Sequence, residues 1–391
     1  MKILHSIPCY AHGLDRLWGV SNSAMDFASM QAMAGHDVNF LSPLATMGES
    51  YDKPKETQWC DGQLNGFYVP QAKHTRFGTS KDGLSEHREL FASADIVHVH
   101  GFFSPWADKS ISLARSTKKP YVIQPHGKFG PGMLSNRQLP KKIHLFLRGI
   151  KQIKQSQGVV TLAQAMADSV KQICPAAKTF VIPNGLDIKQ YSMPQPAPPL
   201  PKPYLLFLGM LDPRKRIDLL IRSFSKAKSQ YPELQLALVG GDNYGLKPQL
   251  LELTQSEGLG DSVHFVGHVS GDTKLAYLQH AELFVLPSAG EGLSLAMLEA
   301  LACGAPCLLS KGCNAPEIDE YSAGQTVGDD EWGTVLANWV SDQQQLSTAR
   351  NNAKKLFDEK FDLRSVSKQM LELYEKIHVQ TKDANPANAS A

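Results

Sequence analysis

Two acidic residues lie eight positions apart in the segment EGLSLAMLE, where Glu291 precedes a helical pattern and Glu299 lies inside it. Gly292 lets the backbone approach a ligand closely because glycine has no Cβ. The backbone N–H groups of Gly292, Leu293 and Ser294 stand at the start of the helix, where unpaired N–H groups and the helix dipole favour an anion. A carboxylate at Glu299 can accept two hydrogen bonds from neighbouring ribose hydroxyls. The segment therefore predicts a site for an anionic ligand that carries a ribose.

A cationic loop stands earlier in the chain. The run GMLDPRKRID begins at Gly209, after an apolar strand pattern, and places Arg214, Lys215 and Arg216 in a row. A lysine can meet phosphate groups as a point charge. Open α/β sheets bind ligands at the carboxyl ends of their strands, so we expect this loop and the Glu291 segment to surround one ligand.

Strands alternating with helices must position these loops. In the second half, apolar runs predict strands at Tyr204–Leu208, Leu234–Val239, Val263–Val266, Leu283–Pro287 and Cys307–Leu309. In the first half, they predict strands at Ile3–Ile7, Val38–Ser42, Ile96–His100 and Tyr121–Gln124. Such alternation is typical of βαβ units with a parallel sheet.

The length of 391 residues favours two domains, because it exceeds the usual size of one hydrophobic core. The segment MPQPAPPLPKP is rich in proline and predicts a stiff, extended linker. We expect an N-terminal domain, this linker, a C-terminal domain, a C-terminal helix containing MLELYEKIH and a disordered tail. Their ranges are 1–192, 193–203, 204–360, 361–380 and 381–391.

Composition excludes several classes of protein. The net charge of +2 gives no basis for nucleic-acid binding. No apolar run reaches the roughly 18–20 residues that span a bilayer, and the N-terminus resembles a buried strand rather than a signal peptide. We therefore expect a cytoplasmic protein. The six cysteines form no CxxC pair, which favours reduced core thiols over a metal site or a disulfide.

The motifs resemble those of a known family. EGLSLAMLE is similar to the Glu-x7-Glu motif of family 4 retaining glycosyltransferases, and GMLDPRKRIDLLIRSF resembles the phosphate loop of that family. VIPNGLD, VHVHGFFSPWA and VIQPHG resemble segments of its first domain. The resemblance covers roughly residues 1–375.

The resemblance implies a GT-B fold, an α/β architecture in which two Rossmann-like domains face each other across a central cleft. The donor would bind mainly the second domain and the acceptor the first, and the C-terminal helix would cross back to the first domain. The expected reaction moves a sugar, with retention, from UDP-sugar or GDP-sugar to a glycan or lipid-linked acceptor. Such a reaction serves cell-surface polysaccharide synthesis and needs no metal and no other cofactor.

The resemblance also implies roles for single residues. Lys215 would stabilise the departing phosphate, Glu291 would contact sugar hydroxyls, and His126 would lie near the reacting sugar. Glu299 would bind the ribose. The remaining donor-binding residues would be Gly292, Leu293, Ser294, Arg214, Gly209, His268, Val269 and Gly19.

Two positions depart from the family pattern. Met210 stands where the family keeps an arginine, and only Gly19 matches the Gly-Gly loop of the family's N-terminus, beside Trp18. These departures motivate a second hypothesis, a non-catalytic subunit that binds nucleotide sugars. A third hypothesis is an epimerase that acts on the nucleotide sugar itself.

The run PKKIHLFLRGIKQIKQ predicts a basic amphipathic helix over residues 140–155. Two interpretations stay open for it. Its apolar side can pack on the core of the protein, or it can lie on the inner surface of an anionic membrane as a peripheral contact.

Overall fold

The computed structural model describes residues 1–8, 19–43, 56–59, 62–69, 74–75, 78–79, 81–129 and 138–383. These residues form two compact units. Unit 1 comprises Met1–Gly185 with Leu363–Ala391, and unit 2 comprises Leu186–Asp362. Residues 384–391, within the tail predicted to be disordered, lie outside the described part of the chain, as do Cys9, Trp18 and Cys60.

Unit 1 contains an eight-stranded sheet in the order β10-β9-β8-β7-β1-β2-β4-β3. Its strands are β1 (Lys2–Ser6), β2 (Asp37–Pro43), β3 (Glu56–Trp59), β4 (Leu64–Val69), β7 (Ile96–His100), β8 (Tyr121–Gln124), β9 (Gly158–Thr161) and β10 (Thr179–Val181). Strand β3 runs antiparallel to β4, and the other neighbours are parallel. A separate hairpin joins β5 (His74–Thr75) to β6 (Gly78–Thr79).

Helices cover the sheet of unit 1. They are α1 (Gly19–Met33), α2 (Arg88–Ser93), α3 (Pro105–Ser116), α4 (Gln138–His144), α5 (Ile150–Gln155), α6 (Gln164–Ile173) and α14 (Leu363–Asp383). Helix α3 begins where Ser104 caps the N–H of Ala107 and Pro105 occupies the first turn, both favourable at a helix start. Helix α14 buries Val366, Met370 and Tyr374 in the same core cluster as residues of α1 and β1.

Unit 2 contains a six-stranded parallel sheet in the order β13-β12-β11-β14-β15-β16. Its strands are β11 (Tyr204–Leu208), β12 (Gln235–Val239), β13 (Val263–Gly267), β14 (Leu283–Leu286), β15 (Cys307–Ser310) and β16 (Gly324–Val327). Its helices are α7 (Ile217–Gln230), α8 (Lys247–Ser256), α9 (Gly271–His280), α10 (Leu295–Ala302), α11 (Glu317–Glu320), α12 (Trp332–Ser341) and α13 (Gln343–Lys360). Strand β11 is wholly buried, as expected of a strand covered by helices on both faces.

The structure confirms the predicted α/β class. Unit 2 has the strand order 3-2-1-4-5-6 of a doubly wound sheet. The parallel strands of unit 1 follow the same pattern with one more strand, 3-2-1-4-5-6-7, and the antiparallel β3 lies at the edge beyond β4. The proline-rich segment does not form a helix or strand, and its start is held to α9 of unit 2. Gln195 N donates to Gln279 Oε1 at 2.9 Å, and Gln279 Nε2 donates to Met193 O at 2.8 Å. The four described cysteines are free, and Cys174, Cys307 and Cys313 are buried.

Candidate functional site

The sheet of unit 2 places its two candidate loops side by side. Strands β11 and β14 are neighbours in the sheet, and the strand order reverses between them, so the loops that follow them start side by side. A doubly wound sheet opens a crevice at this point, outside the carboxyl ends of its strands. The loop after β11 carries Lys215, and the loop after β14 carries Glu291.

Hydrogen bonds fix the cationic loop. The buried Asp212 caps the short turn Pro213–Lys215 by accepting from Arg214 N at 2.8 Å. Its Oδ2 also accepts from Arg214 Nη2 at 2.8 Å, so the guanidinium is held over its own loop. Arg214 O accepts from Ala289 N at 2.8 Å and thereby joins this loop to the one after β14.

Lys215 and Glu291 meet at the junction of these loops. Lys215 Nζ lies 2.6 Å from Glu291 Oε1, and each side chain is only 15% exposed. An ammonium carries three N–H groups, so two remain for other acceptors when one is given to Glu291. The next cation, Arg216, pairs with Asp329 at 2.7 Å instead. The structure therefore separates three consecutive cations into three different environments.

The backbone of Glu291 is held on both sides. Its N–H donates to Gly312 O at 2.9 Å, and its carbonyl accepts from Asn314 Nδ2 at 2.9 Å. In the described part of the chain, no acceptor is seen for the N–H groups that follow, at Gly292, Leu293 and Ser294. They lie just before α10, whose first turn Ser294 caps by accepting from Met297 N. An anion at this helix start would satisfy them.

Glu299 lies on α10 in a partly buried pair. Its Oε1 accepts from Lys274 Nζ at 2.7 Å and from Tyr191 Oη at 3.2 Å. Both contacts use one oxygen, and Oε2 has no partner among the described residues. The sequence did not reveal Lys274 or Tyr191, because they are 25 and 108 positions away and carry no motif.

The remaining predicted residues of unit 2 lie at neighbouring strand ends. Gly209 follows β11, and its N–H donates to Val239 O at 2.9 Å. A Cβ at Gly240, after β12, would lie 1.9 Å from Gly209 O, so only glycine allows these strand ends to approach. Met210 is 43% exposed. His268, which is exposed, and Val269 follow β13.

Unit 1 gathers four histidines where its own strand order reverses, between β1 and β7. His5 on β1 stands beside His98 in the sheet register, and His98 and His100 share a face of β7 because they are two positions apart. His126 follows β8 with a left-handed φ of 48°, and its Nε2 lies 2.8 Å from His100 Nδ1. The predicted His126 is thus connected to residues of two buried strands.

Burial keeps these imidazoles neutral at pH 7. It lowers the pKa of His5 to about 4 and that of His126 to about 3, and it holds the pKa of His98 and His100 well below the usual range. Ring nitrogens of His5, His98 and His100 lie within 4.8 Å of one another, near enough for a metal ion. His5 and His100 are, however, hydrogen-bonded to each other at 2.9 Å, which an ion would have to break. His5 was not predicted as part of this cluster, since 95 positions separate it from His100.

Gly19, the other predicted site residue of unit 1, begins α1.

The basic segment predicted at residues 140–155 has one apolar side that is buried and another, beginning at Leu139, that is exposed. Leu145 and Ile153 are buried, which agrees with packing on the core. Four other apolar side chains recur at helical spacing and are exposed by 69, 49, 84 and 65%; we call them the apolar stripe: Leu139, Ile143, Phe146 and Leu147. Among the described residues, no helix has the length and apolar character needed to cross a bilayer.

The chain matches known protein families over most of its length. Residues 18–190 match Glycosyltransferase Family 4, and residues 189–356 match Glycosyl transferases group 1. An uncharacterised glycosyltransferase of Methanocaldococcus jannaschii is 25% identical over an alignment of 371 residues, and the match covers 87% of this chain and 90% of that protein. The GDP-mannose-dependent alpha-(1-6)-phosphatidylinositol monomannoside mannosyltransferase of Mycolicibacterium smegmatis is 28% identical over an alignment of 334 residues, and the match covers 80% of each chain.

Solved structures share the fold. The crystal structure of Anabaena HepE in complex with UDP-glucose is 17% identical, with a TM-score of 0.71, and the match covers 96% of this chain and 100% of that one. A likeness at this identity concerns the fold alone.

Proposed function

The chain belongs to the family 4 glycosyltransferases and has the GT-B fold, and from this premise we propose that it transfers a sugar, with retention, from UDP-sugar or GDP-sugar to a glycan or lipid-linked acceptor. It is an enzyme of the hexosyltransferase class. The observation that carries the proposal is the pair Lys215–Glu291 beside the N–H groups of Gly292, Leu293 and Ser294.

These groups suit a sugar diphosphate. As the bond between the sugar and the diphosphate breaks, negative charge grows on the leaving phosphate, and a fixed ammonium stabilises that charge. We assign this role to Lys215. The backbone N–H groups at the start of α10 would hold the diphosphate, and Glu291 would accept hydrogen bonds from sugar hydroxyls through its second oxygen.

The nucleoside would extend toward α10 and β13. Glu299 keeps Oε2 available for a ribose hydroxyl, while Lys274 holds its other oxygen. We propose His268 and Val269 as neighbours of the base, with Gly209, Arg214 and Gly19 as further donor-side residues. His126 is proposed to contact the reacting sugar.

The donor base can be tested by thermal unfolding with UDP, GDP, ADP, CMP and their sugars. One relative is named for GDP-mannose and one structural neighbour holds UDP-glucose, which supports these two bases. A ligand at 100 times its dissociation constant stabilises by about 2.7 kcal/mol. Stabilisation by ADP or CMP alone would contradict the proposed donors.

Turnover separates the remaining hypotheses. With the donor found above and a panel of glycan and glycolipid acceptors, we expect a product with the anomeric configuration of the donor, identified by NMR, and unchanged rates in EDTA. An inverted product would exclude retention. A changed nucleotide sugar formed without acceptor would indicate an epimerase, and donor binding without any turnover would indicate a non-catalytic subunit.

We also propose that the protein works at the cytoplasmic face of an anionic membrane, in cell-surface polysaccharide synthesis. The apolar stripe is flanked by the exposed cations Lys142, Lys151 and Lys154, and residues 138–155 contain no aspartate or glutamate. An amphipathic helix with this combination lies in the interface, with its apolar side in the lipid and its cations near acidic headgroups.

Vesicle sedimentation tests this contact. We expect the protein to sediment with vesicles of phosphatidylglycerol and phosphatidylcholine but much less with phosphatidylcholine alone, and the replacement of Phe146 and Leu147 by serine to abolish sedimentation. Val379, on α14, is also apolar and 56% exposed, so Val379→Ser is the matched control. Equal losses in both variants, or binding that ignores lipid charge, would refute the membrane contact.

A further inference from the structure

A chain of hydrogen bonds leads from the interior of unit 1 to His126. Gln31 Oε1 lies 2.8 Å from His5 Nε2, His5 Nδ1 lies 2.9 Å from His100 Nε2, and His100 Nδ1 lies 2.8 Å from His126 Nε2. Gln31, His5 and His100 are fully buried, whereas His126 is partly exposed. We call these four residues the histidine chain.

Each imidazole in the histidine chain is neutral at pH 7, because burial disfavours the charged form and lowers the pKa of all three rings. A neutral imidazole carries one N–H and one lone pair. Every link of the chain must therefore join an N–H to a lone pair, and the direction of one link determines the direction of the next.

Gln31 sets that direction. Its carbonyl oxygen only accepts, so His5 must carry hydrogen on Nε2 and keep a lone pair on Nδ1. His100 must then donate from Nε2 to His5 and keep its own lone pair on Nδ1. His126 must in turn donate from Nε2 to His100, which leaves the lone pair of His126 on Nδ1.

Both ends of the histidine chain lack a hydrogen-bond partner among the described residues: Gln31 Nε2, which is buried, and His126 Nδ1. His126 Nδ1 forms no hydrogen bond within the part of the protein that the structure describes, and His126 is the one member of the chain that is only half-buried. The left-handed backbone at His126, with φ of 48°, and at Gly127, with φ of 82°, turns the ring back toward β7. A buried polar group costs stability unless it is hydrogen-bonded, and a ligand hydroxyl that donates to Nδ1 would satisfy the His126 end of the chain.

We propose that Gln31, His5 and His100 are positioning residues that fix the tautomer of His126, so that Nδ1 accepts a hydrogen bond from a sugar hydroxyl. The ligand class is a hydroxyl that donates, and a group that only accepts is disfavoured at this position. This inference rests on the proposed function in placing His126 beside a sugar. The tautomer itself is a property of the free protein and can be measured without any substrate.

The test is ¹⁵N NMR of the histidine rings in the full chain, with the His126 signals assigned through their loss in His126→Gln. In the free wild-type protein at pH 8, we expect pyridine-type Nδ1 and pyrrole-type Nε2 at His126. Gln31→Met removes the acceptor that sets the direction and should shift the His126 signals toward a mixture of tautomers. Gln31→Glu, measured at pH 9, restores a group that only accepts and should return the wild-type signals.

Gln124→Met is the matched control, because Gln124 is a fully buried amide on β8 that forms no link of the chain. It should leave the His126 signals unchanged. In Gln31→Met, where the competent tautomer of His126 would be about half populated, the apparent donor KM should rise about twofold at unchanged kcat.

Hydrogen on Nδ1 of wild-type His126 would overturn the proposal, as would a Gln31→Met spectrum equal to wild type. Equal shifts in Gln31→Met and Gln124→Met would also overturn it, since they would show only general repacking. Failure of the proposed function would look different: no donor would turn over, while the tautomers would still follow the chain.

Discussion

Replacement of Lys215 by methionine should separate catalysis from folding in unit 2. The side chain lies 2.6 Å from Glu291 with both groups 15% exposed, so Lys215→Met leaves a largely buried carboxylate without its counterion. Removing one partner of a buried pair costs about 3–5 kcal/mol, and the residual exposure places this pair near the lower end. About 3 kcal/mol corresponds to a fall in the Tm of a unit of this size by roughly 6–12 °C.

The kinetic effect has a different origin. If Lys215 stabilises the leaving phosphate, its loss should lower kcat by about 10²–10³, or roughly 2.7–4 kcal/mol, the range for one preorganised charge-stabilising donor. The double variant Lys215→Met with Glu291→Gln has no unpaired carboxylate. We therefore expect it to recover most of the lost Tm but none of the lost rate.

Calorimetry and initial-rate assays at saturating donor measure both effects. Arg216→Met is the matched control, because Arg216 is the next cation along the chain and pairs with the exposed Asp329. This substitution should change kcat less than threefold. Wild-type kcat in Lys215→Met would refute this role of Lys215, as would a double variant that recovers the rate together with Tm.

Three further results are expected. Glu299→Ala should weaken binding of the cognate nucleoside diphosphate roughly 10–150-fold by calorimetric titration, the cost of about 1.5–3 kcal/mol for hydrogen bonds to a charged group; unchanged affinity would remove Glu299 from the site. Gly240→Ala should destabilise unit 2 by about 1–3 kcal/mol or more and so lower its Tm in thermal unfolding, because its Cβ would lie 1.9 Å from Gly209 O. Gly241→Ala, whose nearest contact is 3.7 Å, should be nearly neutral. The pKa of His5 is lowered from 6.5 to about 4, so the unfolded chain binds the proton first and stability falls as pH drops below 6.5. Urea unfolding at pH 7.5 and 5.5 measures this effect: between these pH values, the free energy of unfolding of His5→Gln should fall by about 1.4 kcal/mol less than that of wild type. Equal falls would contradict a neutral, buried His5.

The sequence by itself determined many of the strands and helices and the motif EGLSLAMLE, because both depend on the spacing of nearby residues. The strands at Ile96–His100, Tyr121–Gln124 and Tyr204–Leu208 were predicted to the residue, since each is a short apolar run that the parallel sheets bury. The helix start that Ser294 caps, and with it the predicted anion site, follows from the local order Glu291, Gly292 and Ser294, which needs no distant partner.

The partners of the charged groups were decided only by the tertiary structure. Three consecutive cations look equivalent in sequence, yet Arg214 closes on Asp212, Lys215 on Glu291 and Arg216 on Asp329. The turn at Pro213–Lys215 sends each side chain in its own direction. Asp212 is a local partner two positions from Arg214, whereas the fold of unit 2 brings Glu291 and Asp329 from 76 and 113 positions away.

The histidine chain shows the same division most sharply. The sequence marked His126 from its place between proline and glycine at a strand end, but it gave no reason to join this residue to His5 or Gln31. Strand pairing of β1 with β7 and the packing of α1 bring these side chains together. Local spacing can therefore indicate a candidate site residue such as His126, whereas the pKa of its ring and its hydrogen-bond partners depend on long-range neighbours that only the folded sheet supplies.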